Sequence, residues 1–145
     1  MTAHPIDDAP DWAFVALGSN LGDRSSYLAR GRAALAQLPR TELIAASAVE
    51  ETAPLGPPNQ PAYLNQMVLL RTRLSPRALL DACLDIERGA GRTRGVRWGP
   101  RTLDLDLVRY GARRVQQAGL VVPHPELPNR PFWQRELAEL EPHAR

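Results

Sequence analysis

Asp104 and Asp106 alternate with Leu103, Leu105 and Leu107. In an extended strand, residues two apart point to the same face. The leucines can therefore enter a core while both carboxylates project together from the other side, about 7 Å apart along the backbone. Two such carboxylates suit a hard divalent cation bound through oxygen. Just upstream, Arg88, Arg92, Arg94, Arg97 and Arg101 are broken only by small or uncharged residues, among them Gly89, Gly91, Gly95 and Gly99, with no acid. Guanidinium forks grip phosphate oxygens in bidentate fashion. Each part alone has a plainer explanation: Asp-x-Asp is common on solvated strand faces, and an Arg-rich loop is more often solvated or nucleic-acid-facing. Their adjacency favours a Mg2+–polyphosphate complex. Trp98-Gly99-Pro100 at the junction adds an indole beside the guanidinium groups, and Pro100 stiffens the approach to the strand.

The run Arg97-Trp98-Gly99-Pro100-Arg101-Thr102-Leu103-Asp104-Leu105-Asp106 resembles the signature of the 6-hydroxymethyl-7,8-dihydropterin pyrophosphokinases of folate biosynthesis. The resemblance runs from residue 13 to about 132, with motifs in the family's order. It implies transfer of a diphosphate from ATP to the pterin's hydroxymethyl group, releasing AMP. Asp104 and Asp106 would hold two Mg2+ ions. Arg92, Arg94 and Arg101 would take the phosphates, with Arg92 and Arg101 joining the two acids as the catalytic set. Trp98 and its loop would form a lid over both substrates, excluding water. His124, in Pro123-His124-Pro125, would be a nucleotide-phosphate contact. On the pterin side, the resemblance implies Thr52 and the backbone near Ala53 and Leu55. It adds Tyr63 and Asn65, with Phe132 stacking from the other side and Arg130 in the same motif. An Asn side chain offers both a carbonyl and an NH2 to a guanine-like edge, and aromatic rings supply flat faces.

Other segments must position these groups. Ala13–Leu17 is a short apolar run ending at Gly18-Ser19-Asn20-Leu21-Gly22-Asp23, which reads as a buried strand and a tight loop. Neither a dinucleotide fingerprint nor a P-loop is present. Leu28, Gly31, Leu35 and Leu38 recur at helical spacing and predict an amphipathic helix over 25–38, closed by Pro39. Residues 41–51 read as a weak strand and 52–61 as a proline-stiffened loop. Residues 62–74 form the longest strand candidate. Ser75-Pro76 opens a second helix that carries Leu79, Leu80, Cys83, Leu84 and Ile86 and ends near Glu87. The resemblance places a glutamate at that point, where it would hold the loop arginines.

The expected architecture is α+β: a ferredoxin-like sandwich with helices packed on one face of an antiparallel sheet. Residues 1–11 read as a flexible leader and 12–145 as a single pyrophosphokinase domain. Of the chain, 43% is hydrophobic and 23% charged, which is globular, and the net charge of +2 argues against a general polyanion binder. The expected partners are therefore small molecules, with no nucleic acid and no membrane, and the chain is expected to be a monomer. The lone Cys83 rules out an intrachain disulfide and points to the cytoplasm. The match departs after Phe132, where Gln134 and Glu136 replace an apolar stretch. Gly119 and Val121 stand where some family members carry a basic and a hydroxyl residue that help hold ATP. The competing readings are a non-catalytic or altered-substrate relative, and a nucleic-acid-binding module built on the Arg-Trp loop.

Overall fold

The computed structural model describes residues 6–53, 61–91 and 102–145. The chain order is β1 (Ile6–Ser19), α1 (Arg24–Ala36), β2 (Thr41–Ala46), β3 (Glu50–Thr52), β4 (Tyr63–Leu74), α2 (Pro76–Gly89), β5 (Asp104–Tyr110), β6 (Val115–Gln117), β7 (Leu120–Val122) and α3 (Pro131–Leu140). The main strands lie in the order β2-β4-β1-β5, with β3 also paired to β4, and every pairing is antiparallel. A β-α-β-β-α-β chain with that strand order is the ferredoxin-like arrangement. β1 starts earlier than its apolar run: residues 6–11, read as leader, are strand, and Asp11 already pairs with Thr72.

Local signals explain the helices. Asp23 accepts from the Ser26 amide at the start of α1, and Ser75 accepts from the Ala78 amide ahead of Pro76 in α2. Leu28, Gly31 and Leu35 form the buried stripe of α1. Gly31 sits where an added Cβ would meet a Leu17 methyl at 2.9 Å, so the helix lies hard against the sheet.

The expectation that helices cover one face is corrected. α1 and α2 pack on Val15, Leu17, Val68, Leu70, Leu105 and Leu107. α3 covers the opposite face through Trp133, Leu137 and Leu140, which meet Phe14, Ala16, Met67, Leu69 and Val108. The cause is visible in β4, where residues 65 to 70 are all buried in succession. A strand without polar alternation must be covered on both sides.

α3 brings one polar group inside. Glu136 is only 2% exposed, and neither of its carboxyl oxygens has a hydrogen-bond partner among the described residues. Burial, and then the nearby Glu50, pushes its pKa up to about 8.

Candidate active site at one end of the sheet

The strand register assembles the site. Gly18 of β1 lies between Asn65 of β4 on one side and Asp104 of β5 on the other. One rung further into the sheet, Ala16 lies between Met67 and Asp106. Directly opposed residues share a face, so Asn65, Gly18, Asp104 and Asp106 all look toward the α3 side. Interstrand spacing puts the Asn65 and Asp104 backbones roughly 10 Å apart. Gly18, without a side chain, leaves that interval open.

On the β4 side, the Asn65 amide nitrogen donates to Thr52 Oγ1 at 2.6 Å. That bond turns the amide so that Oδ1 lies over Gly18, where an added Cβ would stand 3.5 Å from it. Tyr63, paired with Thr52 across β3–β4, is on the same strand face, and its ring edge also borders Gly18. Ala53 is exposed just beyond β3. Leu55, the fifth expected pterin contact in this region, lies outside the described residues.

On the β5 side, Asp104 and Asp106 are both half-buried while Leu103, Leu105 and Leu107 are buried, as the alternation predicts. His124 Nε2 stands 3.6 Å from Asp106 Oδ1. Its other nitrogen, Nδ1, accepts from the Glu126 amide at 3.0 Å, which assigns the neutral ring's proton to Nε2, facing the acid. The His124 amide donates to the Val108 carbonyl at 2.8 Å, fixing the turn to β5.

Trp133 then links His124 to the last pair of expected residues. Its ring is 5.0 Å from the His124 ring, edge-on, and the Arg130 guanidinium lies 4.3 Å above it. Phe132 meets the same indole at 6.3 Å. Arg130 Nε is buried with no hydrogen-bond partner among the described residues. The sequence alone assigns Trp133 no part in the site. Its signal was an aromatic in the first turn of an amphipathic terminal helix, which reads as core and is core. Arg92, Arg94, Trp98 and Arg101 lie outside the described residues.

A cavity of about 230 Å3 opens beside Asp106 and His124, walled by Leu80, Leu107, Leu120 and Pro125. Gly119 and Val121 line it too, so the two departures noted in the sequence fall on this cavity. Cavity, carboxylates, glycine gap and Asn65 thus follow one another along a single end of the sheet.

The donor set bears on which metal fits. No group of three or more His, Cys, Asp or Glu poised to hold an ion occurs among the described residues. Two carboxylates, with no third such ligand among the described residues, do not make a resident metal cage. They match Mg2+, which keeps waters and is usually held by one or two carboxylates together with substrate phosphates.

Among the described residues no helix is long and apolar enough to cross a membrane. A family model described as 7,8-dihydro-6-hydroxymethylpterin-pyrophosphokinase matches residues 14–142. The chain is 42% identical over 128 residues to the 2-amino-4-hydroxy-6-hydroxymethyldihydropteridine pyrophosphokinase of Bacillus subtilis, covering 88% of this chain and 77% of that one. It is likewise 42% identical over 132 residues to the protein of the same name from Pseudomonas aeruginosa, covering 91% and 82%. The Methylorubrum extorquens protein of that name is 41% identical over 130 residues, covering 90% and 82%. With nearly the whole chain matched and each sequence-predicted residue in the described segments brought to this end of the sheet or to the Trp133 cluster that adjoins it, the chain belongs to the 7,8-dihydro-6-hydroxymethylpterin-pyrophosphokinase family.

Proposed function

We propose that this protein transfers the β,γ-diphosphoryl unit of ATP to the hydroxyl of 6-hydroxymethyl-7,8-dihydropterin, giving AMP and the pterin diphosphate. The observation that carries the reading is the row Asn65–Gly18–Asp104 across three strands, with the cavity beyond Asp106. It sets the Asn65 edge and the side-chain-free Gly18 at one end and a cavity of about 230 Å3 at the other, with the acids between them.

The pterin lies over Gly18. Asn65 Oδ1 accepts from its amino-pyrimidinone edge, and Thr52, by bonding the Asn65 amide, keeps that oxygen in place. Tyr63 and Phe132 supply apolar faces, and by the family resemblance the backbone near Ala53 and Leu55 would also meet the pterin. The adenine enters the cavity beside Leu80 and Leu120, and the phosphates run from there across Asp106 and Asp104. Asp104 and Asp106 would hold two Mg2+ ions, which would supply charge neutralisation at the phosphate oxygens and so make the β-phosphorus more electrophilic. The His124 Nε2–H, at the mouth of the cavity beside Asp106, is a donor for phosphate oxygens on that path. By the family resemblance, Arg92, Arg94 and Arg101 would act on the same oxygens by their guanidinium chemistry, and Trp98 would belong to the lid.

In the chemical step the pterin hydroxyl oxygen forms a bond to the β-phosphorus. The bond from that phosphorus to the oxygen bridging the α-phosphate breaks, and AMP departs with its electron pair. The hydroxyl proton leaves to solvent or to a phosphate oxygen. Such transfers depend on positioning and charge stabilisation more than on a protein nucleophile. Cys83 agrees with that: it is fully buried, and burial, with Glu87 and Asp106 nearby, pushes its thiol up to about 12. A buried free thiol of this kind also fits a reducing cytoplasm.

The test is 31P NMR of the purified protein with ATP, Mg2+ and the pterin. AMP and a pterin-linked diphosphate should appear together and only when the pterin is present. ADP as the product, or ATP consumption that ignores the pterin, would defeat the proposal.

A further inference from the structure

Glu87 occupies an unfavourable place for an acid. It lies in the last turn of α2, where the helix dipole opposes negative charge, and it is 4% exposed. A carboxyl group held against both costs needs a specific partner. It has one: Glu87 Oε2 accepts from the Leu105 amide at 2.6 Å.

The location of that amide gives the bond its meaning. Among the described residues, β5 is the edge of the main sheet and pairs only with β1. Along an antiparallel strand, backbone groups point alternately toward the partner and away from it. Leu105 stands between Asp104 and Asp106, and its amide points outward to α2. It is therefore the backbone donor on the free side of β5 between the two carboxylates. Without an acceptor there it would be a buried, unpaired donor, and the edge would be free to twist or fray.

We infer that Glu87 is the positioning residue for the acid pair: by gripping the amide between Asp104 and Asp106 it sets the direction in which both carboxylates project. The inference rests on the reading that those two acids hold the metal-bearing phosphates. The remaining acid in that part of α2, Asp85, is exposed and paired with Arg88 at 2.6 Å, so it does not share the role.

Conservative variants separate acceptor from charge. Glu87→Gln keeps a carbonyl oxygen at the same reach. Glu87→Asp keeps the charge but withdraws the acceptor by about 1.5 Å, one carbon–carbon bond. Two readouts apply to the full chain: Mn2+ affinity in the presence of a non-hydrolysable ATP analogue, by electron paramagnetic resonance, and amide exchange at Leu105, by NMR. Glu87→Gln should bind Mn2+ as the native protein does and keep the Leu105 amide protected. Glu87→Asp should lose roughly tenfold or more in Mn2+ affinity, as supporting-shell substitutions do. Its Leu105 amide should exchange faster, with the Val15 and Leu70 amides unchanged. Native Mn2+ affinity or native Leu105 protection in Glu87→Asp would overturn the inference, as would a Gln variant as weak as the Asp variant. Asp104→Asn serves as the separate control. If it leaves Mn2+ affinity intact, the metal reading itself fails, whatever the Glu87 variants do.

Discussion

A methyl group on Gly18 would stand 3.5 Å from both Asn65 Oδ1 and the Tyr63 ring edge. That is ordinary van der Waals contact, so the fold can accept alanine there. The interval between Asn65 and Asp104 cannot accept both that methyl and a flat ligand. Gly18→Ala should therefore leave the melting temperature unchanged or slightly higher while raising KM for the pterin roughly tenfold or more, in line with the cost of an extra methyl in a filled space. An unchanged pterin KM would show that the ligand does not lie over Gly18. Asn65→Ala should raise the same constant and spare that for ATP, since it leaves a heterocycle edge short of a partner, at about 1–3 kcal/mol. Equal losses for both substrates would make Asn65 a structural residue. At this scale the sequence was informative for the acids, because period-two alternation directly predicts their common face. It was silent on Gly18, whose importance depends on which strands flank it. It was silent also on the Glu87–Leu105 bond, which joins residues 18 apart in the chain.

The family match expected to fade after Phe132 runs on through all of α3 to residue 142, and Glu136 is the residue of that helix whose burial can be measured. Three charged neighbours act on it: Glu50 from β3, and Arg135 and Glu139 from its own helix. Burial and Glu50 together raise its folded pKa from 4.5 to about 8. Between those values the folded protein holds a proton that the unfolded chain has released. This contribution to stability is complete below the unfolded pKa and is lost as pH rises through about 8. The slope is at most about 1.4 kcal/mol per pH unit. Glu136→Gln should remove it, so urea unfolding at pH 5 and pH 9 should show the variant gaining on the native protein at the higher pH. Parallel pH dependence in the two proteins would place the titrating proton elsewhere. The elements themselves were largely legible. α1 and α2 announced themselves by spacing and caps, and β4 by its long apolar run. What was read as one weak strand over 41–51 became β2 and β3, separated near Ser47, whose hydroxyl accepts from the Met67 amide at 2.9 Å. The β6–β7 hairpin was missed because its strands have only three residues each, too few to show a period.

In the whole molecule, helices on both faces leave one end of a four-strand path to gather the chemistry. Residues from positions 18, 52, 65, 104 and 124 converge there: the register of β1 against both neighbours brings 18, 65 and 104 together, the β3–β4 pairing adds 52, and the His124–Val108 backbone bond adds 124. The sandwich class followed from the order of elements, but the placement of α3 did not. A helix declares its apolar stripe in sequence without saying which side of a sheet it covers. The second buried face of β4 was the clue, since residues 65–70 left no side for solvent.

The central claim is that diphosphate transfer runs on the Asp104–Asp106 face of β5. The direct measurement is single-turnover AMP release with ATP, Mg2+ and 6-hydroxymethyl-7,8-dihydropterin, comparing the native protein with Asp104→Asn and Asp106→Asn. Both acids are half-buried on a face apart from the leucine core, so both variants should fold and melt like the native chain. The native protein should release one AMP per pterin consumed, and each variant should lose at least roughly a hundredfold in rate, the scale on which charge stabilisation of a transferring group operates. Pterin-dependent AMP release at near-native rate in either folded variant would contradict the account.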